Sequence, residues 1–558
     1  MNVCNVSLRL QQAARERPQQ ASIVVPGKYN AAGKREYREV SFTELEADVA
    51  RLAAGLRASG IEPGTRIALL VPMGYDFIAL VFALLRAGIV SILIDPGMGR
   101  KNALACLAEA RPQGFIAIPF AHAIRAFLRR RFPETKHLIT VGRRWFWGGE
   151  TLDRIRKLGE KSSAVEPTTS ADDPAAIIFT TGSTGPPKGV LYRQRIFDRQ
   201  VVEIRDQYGI APGEIDLPGF PLFGLFNAAM GVTTVIPDMD PTRPAQADPR
   251  KIVEALRDRG CTQAFGSPAL WNVVGKYCEA NGEQLPQLKR VLSAGAPVPP
   301  HVLSRMLAAI APDGDMHTPY GATESLPVAT ISAREVLAET AALTRQGRGT
   351  CVGRPFPGIE WRIIRISDQP LADIRDTQEL PPGEIGELIV RGEVVTREYV
   401  TRTDANALHK IRDGETIWHR IGDVGYFDMP RPGDVPRFWF CGRKGHRVLT
   451  AGGTLFTIPC EAIFNNHLAV YRSALVGVGP RGTQRPVIIV EPWPGKFPRG
   501  RAAKRQLLDE LRALAATNPL TATIQDFFVL RALPVDIRHN AKIFREKLAV
   551  WAAKRVRG

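Results

Sequence analysis

Disulfide scaffolds, zinc centres and membrane spans leave marks that this sequence of 558 residues does not carry. Its seven cysteines (Cys4, Cys106, Cys261, Cys278, Cys351, Cys441 and Cys460) are scattered, odd in number and never in CxxC spacing, which argues against a disulfide framework and a zinc site. The opening stretch MNVCNVSLRLQQAARERPQQ has neither the uninterrupted apolar run nor the small-residue cleavage site of a secretory signal, so a cytoplasmic location is expected. One run, Phe77 to Ile94, could pass for a membrane span, but Arg86 and Gly88 interrupt it. A mid-bilayer arginine costs at least about 2.5 kcal/mol, so a helix followed by a buried strand is the expected reading. There is no internal repeat, no low-complexity tract and no GxSxG nucleophile elbow.

Acidic residues are few relative to basic ones: 56 Asp and Glu against 74 Lys and Arg leave a net charge of +18. The excess gathers at Arg125, Arg129, Arg130 and Arg131, at Arg143 and Arg144, between Arg499 and Arg505, and in the tail at Lys554, Arg555 and Arg557. Such a field concentrates anions, whether nucleotides, acidic lipid headgroups or an acidic protein partner. No recognisable nucleic-acid module accompanies the charge, and nucleic acid is not an expected partner.

A composition of 44% hydrophobic and 23% charged residues is that of a soluble globular protein. Single cores stop growing at roughly 250 to 300 residues, so two or more domains are expected. TELEADVARLAAGLRASG reads as a helix, with a capping box of Thr43 and Glu46, an apolar face of Leu45, Val49, Leu52 and Leu56, and Gly60 as the stop. RIALLV, a helix from about Asp76 to Ala87, and IVSILID then form a βαβ unit, whose buried parallel strands read as continuous apolar runs. After about residue 350 short strands separated by turn signals predict an antiparallel subdomain, and beyond Gly442 a smaller α+β module is expected. The expected class is therefore α/β: a large N-terminal domain of doubly wound sheets with an antiparallel subdomain (1–441), a hinge in GRKGHR (442–446) and a small mobile α+β C-terminal domain (447–558).

TTGSTGPPKG, Thr180 to Gly189, follows the apolar strand AAIIFT. It fails the common phosphate-loop pattern, in which Gly and Lys are adjacent and followed by Ser or Thr, yet its composition suits a polyphosphate. Thr180, Thr181, Gly182, Ser183, Thr184 and Gly185 offer hydroxyls and closely approaching backbone N–H groups, and Lys188 adds a cation. With its Pro-Pro-Lys-Gly ending the loop resembles that of the adenylate-forming superfamily of acyl-CoA synthetases, luciferases and nonribosomal adenylation domains. Further motifs follow in that family's order. VLSAGAPVPP resembles the adenine-side loop, with Gly295, Ala296 and Pro297 at its turn. PYGATES resembles the motif in which Tyr320 stacks on adenine beside Gly321 and Ala322, Thr323 contacts phosphate and Glu324 binds magnesium. By the same resemblance Asp423 of WHRIGDVGYFD accepts both ribose hydroxyls, Arg443 also reaches the ribose, and Lys542 of DIRHNAKI bridges carboxylate and α-phosphate. ATP and Mg2+ are the implied cosubstrate and cofactor, with Lys542, Thr323 and Glu324 in catalytic roles. A carboxylate attacking an α-phosphate must overcome repulsion between two anions, which is what Lys542, Lys188 and magnesium at Glu324 would offset.

The departures suggest a branch. Gly224 of PLFGLFNAAMG stands where thiol-forming relatives carry His or an aromatic residue, Gly445 and His446 replace the usual hinge residues, and Ala541 replaces the usual Gly before the catalytic Lys. Together with LIDPGMGRKN these stretches resemble the β-lactone synthetases of bacterial olefin biosynthesis. The implied substrate is a long-chain 2-alkyl-3-hydroxy acid, whose own hydroxyl displaces AMP; an internal nucleophile has a high effective concentration and needs no thiol tunnel. Phe223, Gly224, Phe226, Met230, Phe265 and Trp271 are the candidate lining of an acyl pocket, core packing being the alternative for each, and His539 is a candidate aid to hydroxyl deprotonation. The resemblance further implies a complex with a β-lactone decarboxylase, and the basic surface suggests peripheral membrane association. A long-chain acyl-CoA or acyl-carrier ligase is the alternative on the same fold, and a non-catalytic basic scaffold the alternative from another class.

Overall fold

The computed structural model describes residues 3–180, 186–429, 433–535 and 542–556. Two open, mostly parallel sheets carry the N-terminal region. The first orders its strands Glu150–Thr151, His137–Thr140, Gly114–Ala117, Arg66–Leu70, Val90–Leu93, Pro174–Phe179 and Gly189–Arg193, with only the last pair antiparallel. The second runs Asp315–His317, Arg290–Ser293, Gln263–Gly266, Ile215–Pro218, Thr233–Val235, Ala21–Tyr29 and Arg35–Ser41, again with one antiparallel pair at its edge.

The apolar segment at Phe77 is the helix Tyr75–Arg86 followed by the strand Val90–Leu93, as the interrupting charge predicts. The helix is buried all round, and its core cluster includes residues of both sheets, such as Ile67 and Phe265. Arg86, itself buried, pairs with Glu46 at 2.5 Å, which answers the charge in that core. No described helix is long and apolar enough to cross a membrane.

In the helix Phe42–Ala58 the predicted face of Leu45, Val49, Leu52 and Leu56 is fully buried. Its capping box is shifted from the expected Thr43 and Glu46 to Ser41 and Glu44. Ser41 is extended, its Oγ accepts from the Glu44 N–H at 3.2 Å, and Glu44 Oε2 accepts from the Ser41 N–H at 2.7 Å.

The expected antiparallel sheet begins earlier than residue 350. Tyr320–Ala322, Ser325–Thr330, Thr350–Pro355, Phe438–Arg443, Thr416–Phe427, Gly386–Arg391 and Glu360–Ile364 succeed one another, with Lys410–Asp413 added beside Thr416–Phe427. Residues from Val448 onward pack around the three-stranded sheet Val470–Val478, Arg485–Pro492 and Asp526–Val529. They form two clusters of their own, one around Phe464, Ile488, Leu511 and Phe527 and one around Val487, Leu533, Leu548 and Ala552.

Candidate active site

The phosphate-loop candidate leaves the carboxyl end of Pro174–Phe179, where open α/β sheets bind ligands. It does not lead straight into a helix. The chain returns as the antiparallel strand Gly189–Arg193, with Phe179 opposite Gly189, and the helix starts only at Gln194. Two hydrogen bonds close the neck of this hairpin: the Thr180 N–H donates to the Lys188 carbonyl at 3.0 Å, and the Lys188 N–H donates to Thr180 Oγ1 at 3.1 Å. Thr181, Gly182, Ser183, Thr184 and Gly185 lie outside the described residues. Past the neck, Lys188 Nζ stands 5.2 Å from the centre of the Tyr399 ring.

Tyr320, Gly321 and Ala322 form a short strand that turns back at once, pairing Ala322 with Ser325. Glycine is required at 321, since a Cβ there would meet the Ser325 carbonyl oxygen at 2.8 Å. The turn carries Thr323 and Glu324, and later segments hold it. The Tyr192 hydroxyl donates to the Thr323 carbonyl at 2.6 Å, and the Thr396 N–H and hydroxyl donate to the Glu324 carbonyl at 2.9 and 3.0 Å. The Tyr399 hydroxyl donates to Glu324 Oε1 at 2.6 Å. Behind them the buried Lys410 donates from Nζ to Thr396 and stands 5.5 Å from the other contact of the brace, the Tyr399 ring. Burial pushes the Lys410 ammonium down to about 7, the carboxylates of Glu324 and Glu398 acting the other way.

Asp423 and Arg443 face each other across the antiparallel pair Thr416–Phe427 and Phe438–Arg443. Arg443 Nη1 lies 3.0 Å from Asp423 Oδ1, and the Tyr320 hydroxyl donates to Oδ2 of the same carboxylate. The ionic distance is short, yet Oδ1 is buried without a hydrogen bond of acceptable geometry, so the contact with Arg443 counts as charge attraction and leaves an acceptor open. Burial raises the Asp423 carboxyl pKa, against the opposing influence of Arg443, Tyr320, His446 and Lys542. That influence brings Lys542 of the C-terminal region within electrostatic reach of Asp423. Gly295, Ala296 and Pro297 form the turn between Arg290–Ser293 and the helix Pro300–Ala309, with φ of 97° at Gly295, a left-handed value that favours glycine.

The apolar candidates divide. Gly224, Phe226 and Met230 lie on the helix Pro221–Met230, and Phe265 lies on Gln263–Gly266, 6.4 Å between ring centres from Phe220. A Cβ at Gly224 would stand 3.3 Å from Met73 Cε, 3.4 Å from Thr234 Cγ2 and 3.6 Å from Pro218 Cγ, so a His or aromatic side chain would have to displace these groups. Trp271, on the helix Pro268–Asn281, is fully buried, its indole N–H donates to the Leu292 carbonyl at 3.2 Å, and it packs in the core of the second sheet, as in the core-packing alternative. His539 and the Phe223 side chain lie outside the described residues. Tyr192, Thr396, Tyr399 and Lys410 were not found from the sequence; each acts through a partner distant in the chain, and no local pattern marks them.

The sequence profile of the AMP-binding enzyme family matches residues 10–400. The chain belongs to that family. Among curated relatives of this AMP-binding enzyme, the olefin beta-lactone synthetase of Stenotrophomonas maltophilia (strain K279a) is 47% identical over 557 residues, covering 99% of this chain and 98% of the relative. The olefin beta-lactone synthetase of Xanthomonas campestris pv. campestris is 47% identical over 558 residues, with the same coverage. Among solved structures, o-succinylbenzoate coenzyme A synthetase from Bacillus subtilis, in complex with ATP and magnesium ion, matches with a TM-score of 0.71 at 20% identity, covering 97% of this chain and 98% of that one.

The residues fit an adenine nucleotide. The open, buried Oδ1 of Asp423 suits a hydroxyl donor, and Lys188 and Lys542 suit phosphate charge. They also fit Mg2+. No described group of three or more His, Cys, Asp or Glu could hold a metal, but Mg2+ is commonly bound by one or two carboxylates together with substrate phosphates, and Glu324 supplies one.

Proposed function

We propose that this AMP-binding enzyme adenylates a long-chain 2-alkyl-3-hydroxy acid and closes it to a β-lactone. The observation that carries the reading is the identity of 47% over nearly the whole chain to two olefin beta-lactone synthetases. In the first step a carboxylate oxygen of the acid bonds to the α-phosphorus of ATP and pyrophosphate leaves. Asp423 and Arg443 hold the ribose, Tyr320 lies against the adenine, and Gly295, Ala296 and Pro297 flank it. Thr180 to Gly185, with Lys188, hold the outer phosphates, and Thr323 contacts phosphate. Glu324 would hold Mg2+, which would supply charge neutralisation for the leaving pyrophosphate. Lys542 stabilises the charge that gathers between carboxylate and α-phosphate.

In the second step the substrate's 3-hydroxyl oxygen bonds to the acyl carbon, its proton is lost and AMP leaves. The ring closes without a protein nucleophile or external thiol. Gly224, Phe226, Met230 and Phe265, with Phe223, are assigned to the acyl chains, and His539 to the proton of the hydroxyl. The segment 442–446 is assigned as hinge between the N-terminal domain 1–441 and the C-terminal domain 447–558. Contacts that cross between these domains would break on rotation, among them Arg447 Nη2 with Asp368 at 2.6 Å and the Asn466 Nδ2 donation to the Arg345 carbonyl at 2.8 Å. A cytoplasmic enzyme of this kind would pass its lactone to a decarboxylase and draw its lipid substrate from a membrane.

Acid-dependent exchange of labelled pyrophosphate into ATP tests the first step. Exchange with the 3-hydroxy acid and Mg2+ is expected; none with any long-chain acid would contradict adenylation.

A further inference from the structure

The helix Pro119–Phe127 and the loop 141–149 after the strand His137–Thr140 display aromatic side chains that the fold leaves outside. Phe120 is 59% exposed, Phe127 83%, Trp145 52% and Phe146 70%. Among the described residues these include every exposed phenylalanine, so the display is concentrated in one place. The two segments meet: the Phe127 and Phe146 rings pack edge to face, 6.4 Å between centres.

The loop is fastened. The Trp147 ring stacks on His122 at 5.4 Å and its N–H donates to Thr140 Oγ1 at 3.0 Å, while His122 is buried against the Ile139 carbonyl at 2.9 Å. Trp145 and Phe146 each lie 5.3 Å from Trp147. The outward aromatic rings therefore stand on a fixed platform.

Within the two segments the charge has one sign, and of the carboxylates that border them, Glu134 and Glu150, the first is paired with Arg66 and Arg111. Residues 119–133 and 141–149 contain Arg125, Arg129, Arg130, Arg131, Arg143 and Arg144 and no Asp or Glu. Arg129, Arg130, Arg131, Arg143 and Arg144 are exposed, and among the described residues none of the five has a carboxylate partner. Exposed Phe and Trp rings beside unpaired arginines are the chemistry of a surface that inserts at the headgroup level of an anionic bilayer. A protein interface also uses aromatic rings and arginine, and the vesicle test below separates that partner from a bilayer.

The geometry points to this surface as a membrane-docking face for bilayers with anionic headgroups. The inference deepens the reading of a lipid-using enzyme and rests on it only for its purpose; docking itself is independent of catalysis.

The test is co-sedimentation of the full-length protein with phosphatidylcholine vesicles, with and without phosphatidylglycerol, at low and high salt. Binding is expected only to phosphatidylglycerol vesicles, weakening with salt as charge attraction does. Each arginine near an anionic surface contributes about fivefold in partition, so the triple variant R129Q/R130Q/R131Q is expected to lose about a hundredfold. The variant F127S/F146S is expected to lose binding at low salt as well. R499Q/R501Q/R505Q removes the same net charge elsewhere and is expected to bind like the parent. Equal losses in both triple variants, unchanged binding in F127S/F146S, or no vesicle binding by the parent would overturn the proposal. So would variants of the aromatic face that bind vesicles normally but no longer associate with a decarboxylase partner. Lactone formation from detergent-dispersed acid is expected to be unchanged in every variant; its absence in the parent would refute the catalytic reading and leave the vesicle result standing.

Discussion

Replacing Asp423 by Asn probes the nucleotide site at its most specific point. The change is nearly isosteric, keeps an acceptor for the Tyr320 hydroxyl, and removes the charge that faces Arg443 at 3.0 Å. A hydrogen bond to a charged group contributes about 1.5–3 kcal/mol, against about 0.5–1.5 kcal/mol for a neutral one. Each ribose hydroxyl accepted by Asp423 should therefore lose about 1 kcal/mol, and the pair about 2 kcal/mol, which is about a thirtyfold rise in KM for ATP. Breaking a fully buried ion pair costs about 3–5 kcal/mol. The Arg443 side chain keeps 31% exposure, so its loss of a partner should cost less, about 1–2 kcal/mol of stability. Pyrophosphate exchange at varied ATP and 2′-deoxy-ATP separates the two effects. The parent should prefer ATP, and that preference should fall about fivefold in the variant. An unchanged KM, or a variant that still prefers ATP to the same degree, would refute the assignment of Asp423 to the ribose.

Lys542→Ala should lower acid-dependent exchange by about 10²–10³-fold, the scale on which removal of a charge-stabilising donor acts, while ATP binding by calorimetry stays within a few-fold. Unchanged AMP formation would remove Lys542 from the mechanism. Tyr399→Phe takes away the donor at 2.6 Å from Glu324 Oε1 and should raise the Mg2+ concentration for half-maximal exchange about tenfold; an unchanged Mg2+ profile would refute the brace. Asp216 is buried beside Asn227, whose Nδ2 donates to it at 2.7 Å, and burial pushes its carboxyl up to about 7. Because the folded pKa lies above the ordinary value of about 3.9, its contribution to stability is full below pH about 4 and is lost as pH rises through about 7. Asp216→Asn should therefore match the parent in chemical denaturation near pH 4 and exceed it above pH 7 by up to about 4 kcal/mol. A difference that is constant across that range would contradict the shift.

Local patterns carried most of the fold. The burial of Leu45, Val49, Leu52 and Leu56 follows from helical period, and Arg86 rightly marked Phe77 to Ile94 as core. The capping box was misplaced because Ser41 with Glu44 and Thr43 with Glu46 both satisfy the same spacing, and only the extended backbone at Ser41 decides between them. The strand Gly189–Arg193 went unread because five residues between a loop and a helix give too short an alternation, and with it the hairpin character of the phosphate loop was missed. Tyr320, Asp423 and Arg443, which the fold brings together, and Glu324 could be singled out as candidates because each sits in a contiguous motif. Tyr399 could not, since its reason for being is a carboxylate 75 residues earlier in the chain. Trp271 lies on the helix Pro268–Asn281, and the sequence alone does not declare whether an aromatic there faces a pocket or the core; here its N–H meets the Leu292 carbonyl in the core.

The central claim is ring closure onto an adenylate, and one incubation tests it: purified protein, Mg2+, ATP and a synthetic 2-alkyl-3-hydroxy fatty acid, with and without coenzyme A, read by proton NMR. The account predicts a β-lactone and AMP in the absence of thiol. An acyl thioester formed only with coenzyme A, with no lactone in either sample, would contradict it and identify a long-chain acyl-CoA ligase instead.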